Sequence, residues 1–457
     1  MNFLARLLNL LKKIPIWIYV FLVLAIVLEL VYTIAILKLG KALSYNDGKF
    51  LFHSFAVVNM QLLMFLGTIY IYYRFAAAFP VKKRDTLWIA LGVFVRIFLV
   101  SLLLFAHASS IFYMSPLPSE VSPWAYISMT ALAAWIHLIL FFIFTDLILL
   151  VIYLILKIRG KVTIFGVNGF FMNHRLKQVF IVLALTIAFL AFGLYRTLTP
   201  PKVVRETVVT EKMKPGSELK IVLLTDIHIG PSVGKSRVEQ IVNDVNQLEP
   251  DIVAIAGDLA DGYVKDLGEA ASPFCSLTPK LGVYFATGNH EYFHGEVDEW
   301  FVWLKACNIT VLHNENRRLD TGNGNSICIA GVDDYITLKI HHPGHKMNPK
   351  QALSGCKKED LVVLLAHQPN ADDMILTDDQ INGNLDVILS GHTHNGQFIF
   401  FWPLTELGNK YNHGHYHNRP TNTHILVSAG VDFFGPPIRT AGFCEIVELT
   451  VKGQQEA

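Results

Sequence analysis

Cysteine is scarce in this chain of 457 residues. Five are present (Cys275, Cys307, Cys328, Cys356 and Cys444), all in the second half. Their odd number and scattered spacing do not describe a disulfide framework. Charge is sparse as well: charged residues make up 16% and the net charge is +1, and no nucleic-acid partner is expected. Internal repeats and low-complexity tracts are absent. Before Pro200, polar residues are too few at any period to give helices a wet face, which excludes a soluble helical bundle there.

Hydrophobic residues, 52% of the chain, concentrate in that same region. Apolar runs of roughly 20 residues suffice to span a bilayer as helices. Five such runs are read, at Ile14–Leu37, Phe55–Tyr73, Leu87–Ala106, Ala125–Leu156 and Gln178–Tyr195. The first is too long for a cleaved signal peptide and reads as a signal anchor behind Arg6, Lys12 and Lys13. Lys and Arg are richer on the side holding the amino terminus, Arg74–Arg84 and Lys157–Lys177, which should therefore be cytoplasmic. Five spans then place the carboxyl-terminal domain in a lumen or outside the cell. Asn308-Ile309-Thr310 is a glycosylation acceptor sequence within it. Arg96 lies in one span and Glu29 and Asp146 in others, and Arg96 is expected to pair with one of the two acids.

The organisation expected is a membrane domain over 1–196, a linker over 197–218 and an α/β domain over 219–457. Thr197–Pro201 stops the last helix, because proline cannot continue it. Beyond Lys220, strand patterns alternate with helical ones such as Ser236–Leu248 and Glu296–Ala306.

Five apolar runs in this domain (KIVLLT, DIVAIA, GVYFAT, LVVLLA, LDVILS) each lead into a short polar block. The blocks are Thr225-Asp226-Ile227-His228, Gly257-Asp258, Gly288-Asn289-His290-Glu291, Ala366-His367-Gln368 and Gly391-His392-Thr393-His394. Strands that deliver such side chains into loops are how open α/β sheets present chemistry at their carboxyl ends. Asp226 and His228 are two apart and can point one way. Asp258 has two oxygens and can bridge two ions, Asn289 offers a neutral oxygen, and His367, His392 and His394 offer imidazoles. The set is nitrogen and oxygen without thiolate, which excludes a structural cysteine-type zinc site and suits Zn, Fe or Mn. Two ions about 3.5–4 Å apart would hold a bridging hydroxide and clamp a phosphoryl oxygen for in-line attack.

The order D-x-H, G-D, G-N-H-E, H and G-H-x-H resembles the calcineurin-like metallophosphoesterase superfamily over Leu219–Leu449. LTDIHIG, GVDDY, LLAHQPN and SGHTHNGQ resemble its transmembrane and membrane-associated branch. The resemblance implies a two-sheet sandwich flanked by helices. It implies Asp226, His228 and His394 on one metal, Asp258 as the bridge, and Asn289, His367 and His392 on the second. It implies that His290 is catalytic and not a ligand, stabilising phosphate or protonating the leaving oxygen. Asn395 departs from the pattern, where relatives often have glycine.

The activity expected is metal-dependent hydrolysis of a phosphomonoester or phosphodiester, a lipid-linked one included. The alternative is a transporter or receptor-like protein whose domain binds a phosphorylated ligand without turnover. His341, His342 and His345, and likewise His413, His415 and His417, read as solvated loop histidines. Phe398–Pro403 and Phe433–Pro437 read either as core and turn or as an apolar rim near the bilayer, with Arg439 contacting phosphate.

Overall fold

The computed structural model describes residues 45–80, 86–114, 119–161, 167–294, 296–321, 324–378, 381 and 384–455, with Val27, Val31 and Ile34. The amino-terminal part is helical: α1 (Tyr45–Ala78), α2 (Thr86–Met114), α3 (Pro123–Ile158) and α4 (Val167–Leu198). Each holds a stretch long and apolar enough to cross a membrane. Four of the expected spans fall in these helices, and the first, Ile14–Leu37, lies outside the described residues apart from Val27, Val31 and Ile34. Along α3 the buried residues run from Ala125 to Phe142, with Tyr153 beyond. Ile143, Phe144, Leu147, Ile148 and Val151 are exposed. An apolar surface of that kind suits lipid, not water.

The expected partners of Arg96 are corrected. Its guanidinium donates to the carbonyls of Ala76, Phe79 and Gly92 at 3.2, 2.9 and 2.8 Å. The end of α1 leaves carbonyls without helical partners, and Arg96 satisfies them. Asp146 instead accepts from Arg74 at 2.6 Å and from the Gln178 amide at 2.7 Å. Glu29 lies outside the described residues.

The rest of the chain is a mixed α/β domain. Its strands are β1 (Lys202–Thr210), β2 (Glu218–Leu224), β3 (Ile252–Ala256), β4 (Val283–Ala286), β5 (Ile309–Val311), β6 (Glu315–Asp320), β7 (Ser326–Gly331), β8 (Leu361–Leu365), β9 (Val387–Ser390), β10 (Gly414–Asn418), β11 (Thr423–Val427) and β12 (Glu445–Gly453). Its helices are α5 (Lys235–Gln247), α6 (Val264–Ala271), α7 (Asn289–Phe293), α8 (Val297–Ala306), α9 (Pro349–Ala352), α10 (Pro369–Leu376) and α11 (Trp402–Gly408). Residues 202–210, inside the expected linker, form β1 and pair with β12 in parallel from Lys202↔Glu445 to Thr210↔Gly453.

Two six-stranded sheets result, ordered β1-β12-β2-β3-β4-β5 and β10-β11-β9-β8-β7-β6. Side chains alternate across each strand, so each strand feeds two layers. Ile221 and Leu223 of β2 face Val363, Leu365 and Leu389 in the core between the sheets. Val222 and Leu224 pack outward with Val238, Ile241 and Trp300. On the far side, Val362, Leu364 and Ile388 pack with Ala371 and Ile375. This is the expected two-sheet sandwich flanked by helices.

The domain seats on the helices at two places. Ser236 at the start of α5 bonds Glu120 through its backbone N–H at 3.1 Å and its hydroxyl at 2.6 Å. Phe398 and Ile438 form one apolar cluster with Ala133, Ile136, Leu190 and Leu194 of α3 and α4. Thr197 donates to the Pro437 carbonyl at 2.7 Å and Arg196 to that of Gly442 at 2.5 Å. Cys275 is disulfide-bonded to Cys307 and Cys328 to Cys356, while Cys444 is free and buried. The scattered cysteines thus include two pairs that the fold brings together across 32 and 28 residues.

Candidate metal centre

All five polar blocks leave the carboxyl ends of central strands: β2, β3 and β4 of one sheet and β8 and β9 of the other. The two sheets face each other, so these five ends converge at one edge of the sandwich. Asp226, His228, Asp258, Asn289, His290 and His367 are buried there. His392 and His394 are half-buried on the final loop.

The backbone at these residues is unusual. Asp226, His228, Asp258, His392 and His394 have φ of 54°, 51°, 54°, 70° and 50°. A left-handed conformation costs a non-glycine residue about 1–3 kcal/mol and persists only where surrounding structure over-determines it. Close approach of the loops is one such constraint. A Cβ at Gly391 would collide with Thr225 and Asp226, and one at Gly288 with Asp258. Only glycine lets the five loops close on one point.

Two clusters meet at Asp258. In the first, His228 Nε2 lies 3.0 Å from His394 Nε2, and Asp226 Oδ1 lies 3.3 Å from His394 Nε2. In the second, His367 Nε2 lies 3.1 Å from Asp258 Oδ2, and ligand atoms of Asp258, His367 and His392 lie within 4.8 Å of one another. Asp258 Oδ2 is also 3.7 Å from His228 Nε2, so this single oxygen faces both clusters. Backbone amides hold the carboxylates in place. His392 N donates to Asp226 at 3.0 Å, and His290 N to Asp258 Oδ1 at 2.9 Å.

The donor set fits metal ions. Among the described residues, Asn289 Oδ1 is buried and has no hydrogen-bond partner. An orphaned buried polar atom is costly, and an ion would satisfy it. His367 Nδ1 is occupied by the Ala256 carbonyl at 2.7 Å, which turns Nε2 inward.

Electrostatics favour the same conclusion. Burial alone would raise the Asp226 carboxyl, yet His394 and His228 hold it well below the ordinary range. Burial likewise opposes ionisation of Asp258, but His367 and His290 hold its carboxyl far down. Burial would lower His367, but the Asp258 carboxylate overrides it and raises the imidazole to about 10. Burial, aided by the charge on His367, pushes His392 down to about 4.

The structure adds roles that the motif blocks do not announce. Asp261 Oδ1 lies 3.0 Å from His228 Nδ1 and 2.7 Å from His290 Nδ1. One carboxylate thus orients a candidate ligand and the candidate catalytic histidine. Its signal was the spacing Asp258-x-x-Asp261. Glu291 accepts the backbone N–H of Asp258, Leu259 and Gly288 at 3.0, 2.8 and 2.7 Å, fastening two loops together. Phe434 packs 4.8 Å from the His290 ring and 5.2 Å from that of His228, forming an outer wall.

Three expectations are corrected. Arg439 is fully buried and donates to the carbonyls of His394 at 3.0 Å, Asp432 at 2.9 Å and Ala429. It therefore braces the last ligand loop and does not reach a phosphate. His342 and His345 are buried against Tyr292, with His345 Nδ1 3.1 Å from its hydroxyl. Their glycine- and proline-rich sequence gave no hint of that packing. His413 Nε2 and His415 Nδ1 lie 3.1 and 3.0 Å from the carboxylates of Glu445 and Glu206, and only His417 of that trio is exposed. Asn395, the departure from the family pattern, adopts φ 47° and so keeps a glycine-like backbone.

Residues 219–396 match the family model of the calcineurin-like phosphoesterases. A Caenorhabditis elegans protein named as a metallophosphoesterase is 41% identical over 373 residues, covering 81% of this chain and 77% of its own. A Danio rerio protein named transmembrane protein with metallophosphoesterase domain is 39% identical over 279 residues, 60% of this chain and 63% of its own. Its Bos taurus namesake is 40% identical over 266 residues, 57% of this chain and 59% of its own. The chain thus spans less than two thirds of the length of the two vertebrate relatives.

Proposed function

The chain belongs to the calcineurin-like phosphoesterase family, and on that premise we propose that it is a membrane-anchored, dinuclear-metal-dependent phosphoester hydrolase. Asp226, His228 and His394 would hold one ion and Asn289, His367 and His392 the other, with Asp258 facing both groups. The observation that carries this reading is the convergence of six nitrogen and oxygen donors, Asp226, His228, His394, Asp258, His367 and His392, five of them on left-handed backbone. Zinc, manganese and iron suit such a set. When bound, the ions supply an activated water as nucleophile and positive charge against the phosphoryl oxygens.

The chain's own groups do the rest. Asp261 accepts at His290 Nδ1, so His290 Nε2 faces the site, 3.9 Å from Asp258 Oδ2. Burial would lower the His290 imidazole, but Asp258 and Asp261 raise it above its usual value. With Nδ1 held by Asp261, Nε2 is the nitrogen placed to stabilise a phosphoryl oxygen or to pass a proton to the leaving oxygen. Phe434 walls His290 and His228 and helps to exclude bulk water. The substrate is a phosphomonoester or phosphodiester, and a lipid-linked one fits a site whose final ligand loop continues into Phe398–Pro403 beside the apolar helices.

The purified full-length protein should hydrolyse a generic aryl phosphate with added manganese or zinc. Asp258→Ala should abolish that activity, since both ions lose their shared ligand. A well-folded wild-type protein that binds no metal and turns nothing over would overturn the proposal.

A further inference from the structure

The segment that follows the last two candidate ligands has two sides. Phe398 packs 5.6 Å from His137 of α3, and Phe400 lies 5.1 Å from the Phe141 ring. Phe141 in turn meets Phe189 of α4 at 5.2 Å. The inward side chains of this segment are therefore part of the packing of two membrane-spanning helices. Its outward side chains are also apolar. Ile399, Phe401 and Trp402 are exposed, and Leu404 and Leu407 of α11 are 63% and 87% exposed. None of the residues of α11 is buried. Its one charged residue, Glu406, is engaged by the Asn412 amide at 2.9 Å.

A short helix that shows tryptophan and two leucines to its surroundings is costly in water. Placed against helices that themselves expose Ile143, Phe144 and Leu147, it meets a different solvent. Tryptophan and leucine beside a spanning bundle are the composition of an interfacial membrane element. We propose that Ile399–Gly408 is a lip inserted into the lipid bilayer, continuous with the outer surface of α3 and α4. The lip begins five residues after His394 and is tied to the loop of Arg439: Thr440 N and Ala441 N donate to the Gln397 carbonyl at 2.8 and 2.9 Å, and Ile399 N donates to Thr440 Oγ1 at 2.9 Å. It thus sets the candidate metal centre at the membrane surface and selects a phosphoester carried by a lipid, whose acyl chains stay in the bilayer while the phosphate enters. The substrate class rests on the phosphoesterase reading; the bilayer contact does not.

The test uses full-length protein in vesicles of phosphatidylcholine with brominated acyl chains. A polarity-sensitive fluorophore is attached at Leu404→Cys or Leu407→Cys, with Val302→Cys on α8 as an exposed control site in the catalytic domain. Insertion predicts quenching at 404 and 407 and none at 302. Equal absence of quenching at all three would overturn the lip, as would cross-linking of two chains through 404 or 407, which would make the face a contact between copies. In a second arm, Leu404→Glu with Leu407→Glu is assayed on a long-chain lipid phosphate and on an aryl phosphate. The lip predicts a rise in KM for the lipid of about tenfold or more, with aryl phosphate turnover kept. Equal effects on both substrates would remove the lipid selection. Loss of all turnover in the wild type would instead sink the phosphoesterase reading and leave the quenching result standing.

Discussion

Asp261 binds two imidazoles with one oxygen, and its effect should be measurable apart from that of the ligands. Asp261→Asn keeps the shape but replaces a charge-assisted bond at His228 and His290 with a neutral one. Outer-shell changes of this kind cost about 10–100-fold in metal affinity or activity. The expected result is a fall in kcat of that order on an aryl phosphate, with KM little changed and the protein folded. An unchanged kcat would mean that packing alone orients His290. A second residue pair tests stability. Arg318 donates to both oxygens of the buried Asp360 at 2.7 and 2.8 Å, and Lys357 N adds a third bond at 2.7 Å. The Arg318 guanidinium, more than any other group, holds the Asp360 carboxyl well below its ordinary range. A carboxyl depressed in the folded state stabilises above its unfolded pKa, about 4, and that contribution is lost as pH falls below it. Arg318→Ala should destabilise the protein at neutral pH by leaving a buried carboxylate short of donors. The gap between variant and wild type should begin to narrow below about pH 4 and go on narrowing as pH falls further in thermal unfolding, and a gap independent of pH would refute the account.

At the scale of elements, the close packing of α4 against the loop at 437–442 is the testable joint. A Cβ at Gly193 would collide with Ile438 and would lie 3.3 Å from both Arg439 N and Thr440 Cγ2. Gly193→Leu should push this loop outward, and with it Arg439, which braces the His394 carbonyl. Displacement of a ligand loop by an ångström can cost on the order of 100-fold in rate, so a large fall in kcat/KM is expected from a substitution inside a membrane helix. Unchanged kinetics in a monodisperse protein would show that the joint carries no strain to the site. The same elements explain what could be read from the chain. β2, β3, β4, β8 and β9 are buried on both faces, and their continuous apolar runs announced them and the ligand blocks behind them. β1, β6 and β10 are edge strands with sequences such as ENRRLD and GHYHN. Pairing with a neighbour, not burial, makes them strands, so their residues carried little signal. The candidate ligands were legible because each follows a core strand. The roles of Glu291 and Arg439 were not, because their work is done through backbone groups of loops that only the fold brings near.

For the whole molecule, the side of the membrane that holds the domain follows from charge and can be checked from three independent features. Lys and Arg accumulate at the amino terminus, between the second and third expected spans, and between the fourth and fifth. By that bias those segments are expected in the cytosol, and the five expected spans, four of them in described helices, would put the domain on the other side. The disulfides Cys275–Cys307 and Cys328–Cys356 agree, because an oxidising compartment is where such bonds persist. Asn308 supplies a third handle. It is exposed between α8 and β5, so a glycan there would extend into solvent without disturbing the sheet core. A lumenal or extracellular domain should therefore give a glycosidase-sensitive mobility shift that disappears in Asn308→Gln. Protease should likewise reach the domain only from that side. Protection of the domain in intact cells, lost once the plasma membrane alone is permeabilised, would place it in the cytosol. That outcome would require an even number of spans, and would make the segment at Ile14–Leu37, which lies outside the described residues, the first place to look for the miscount.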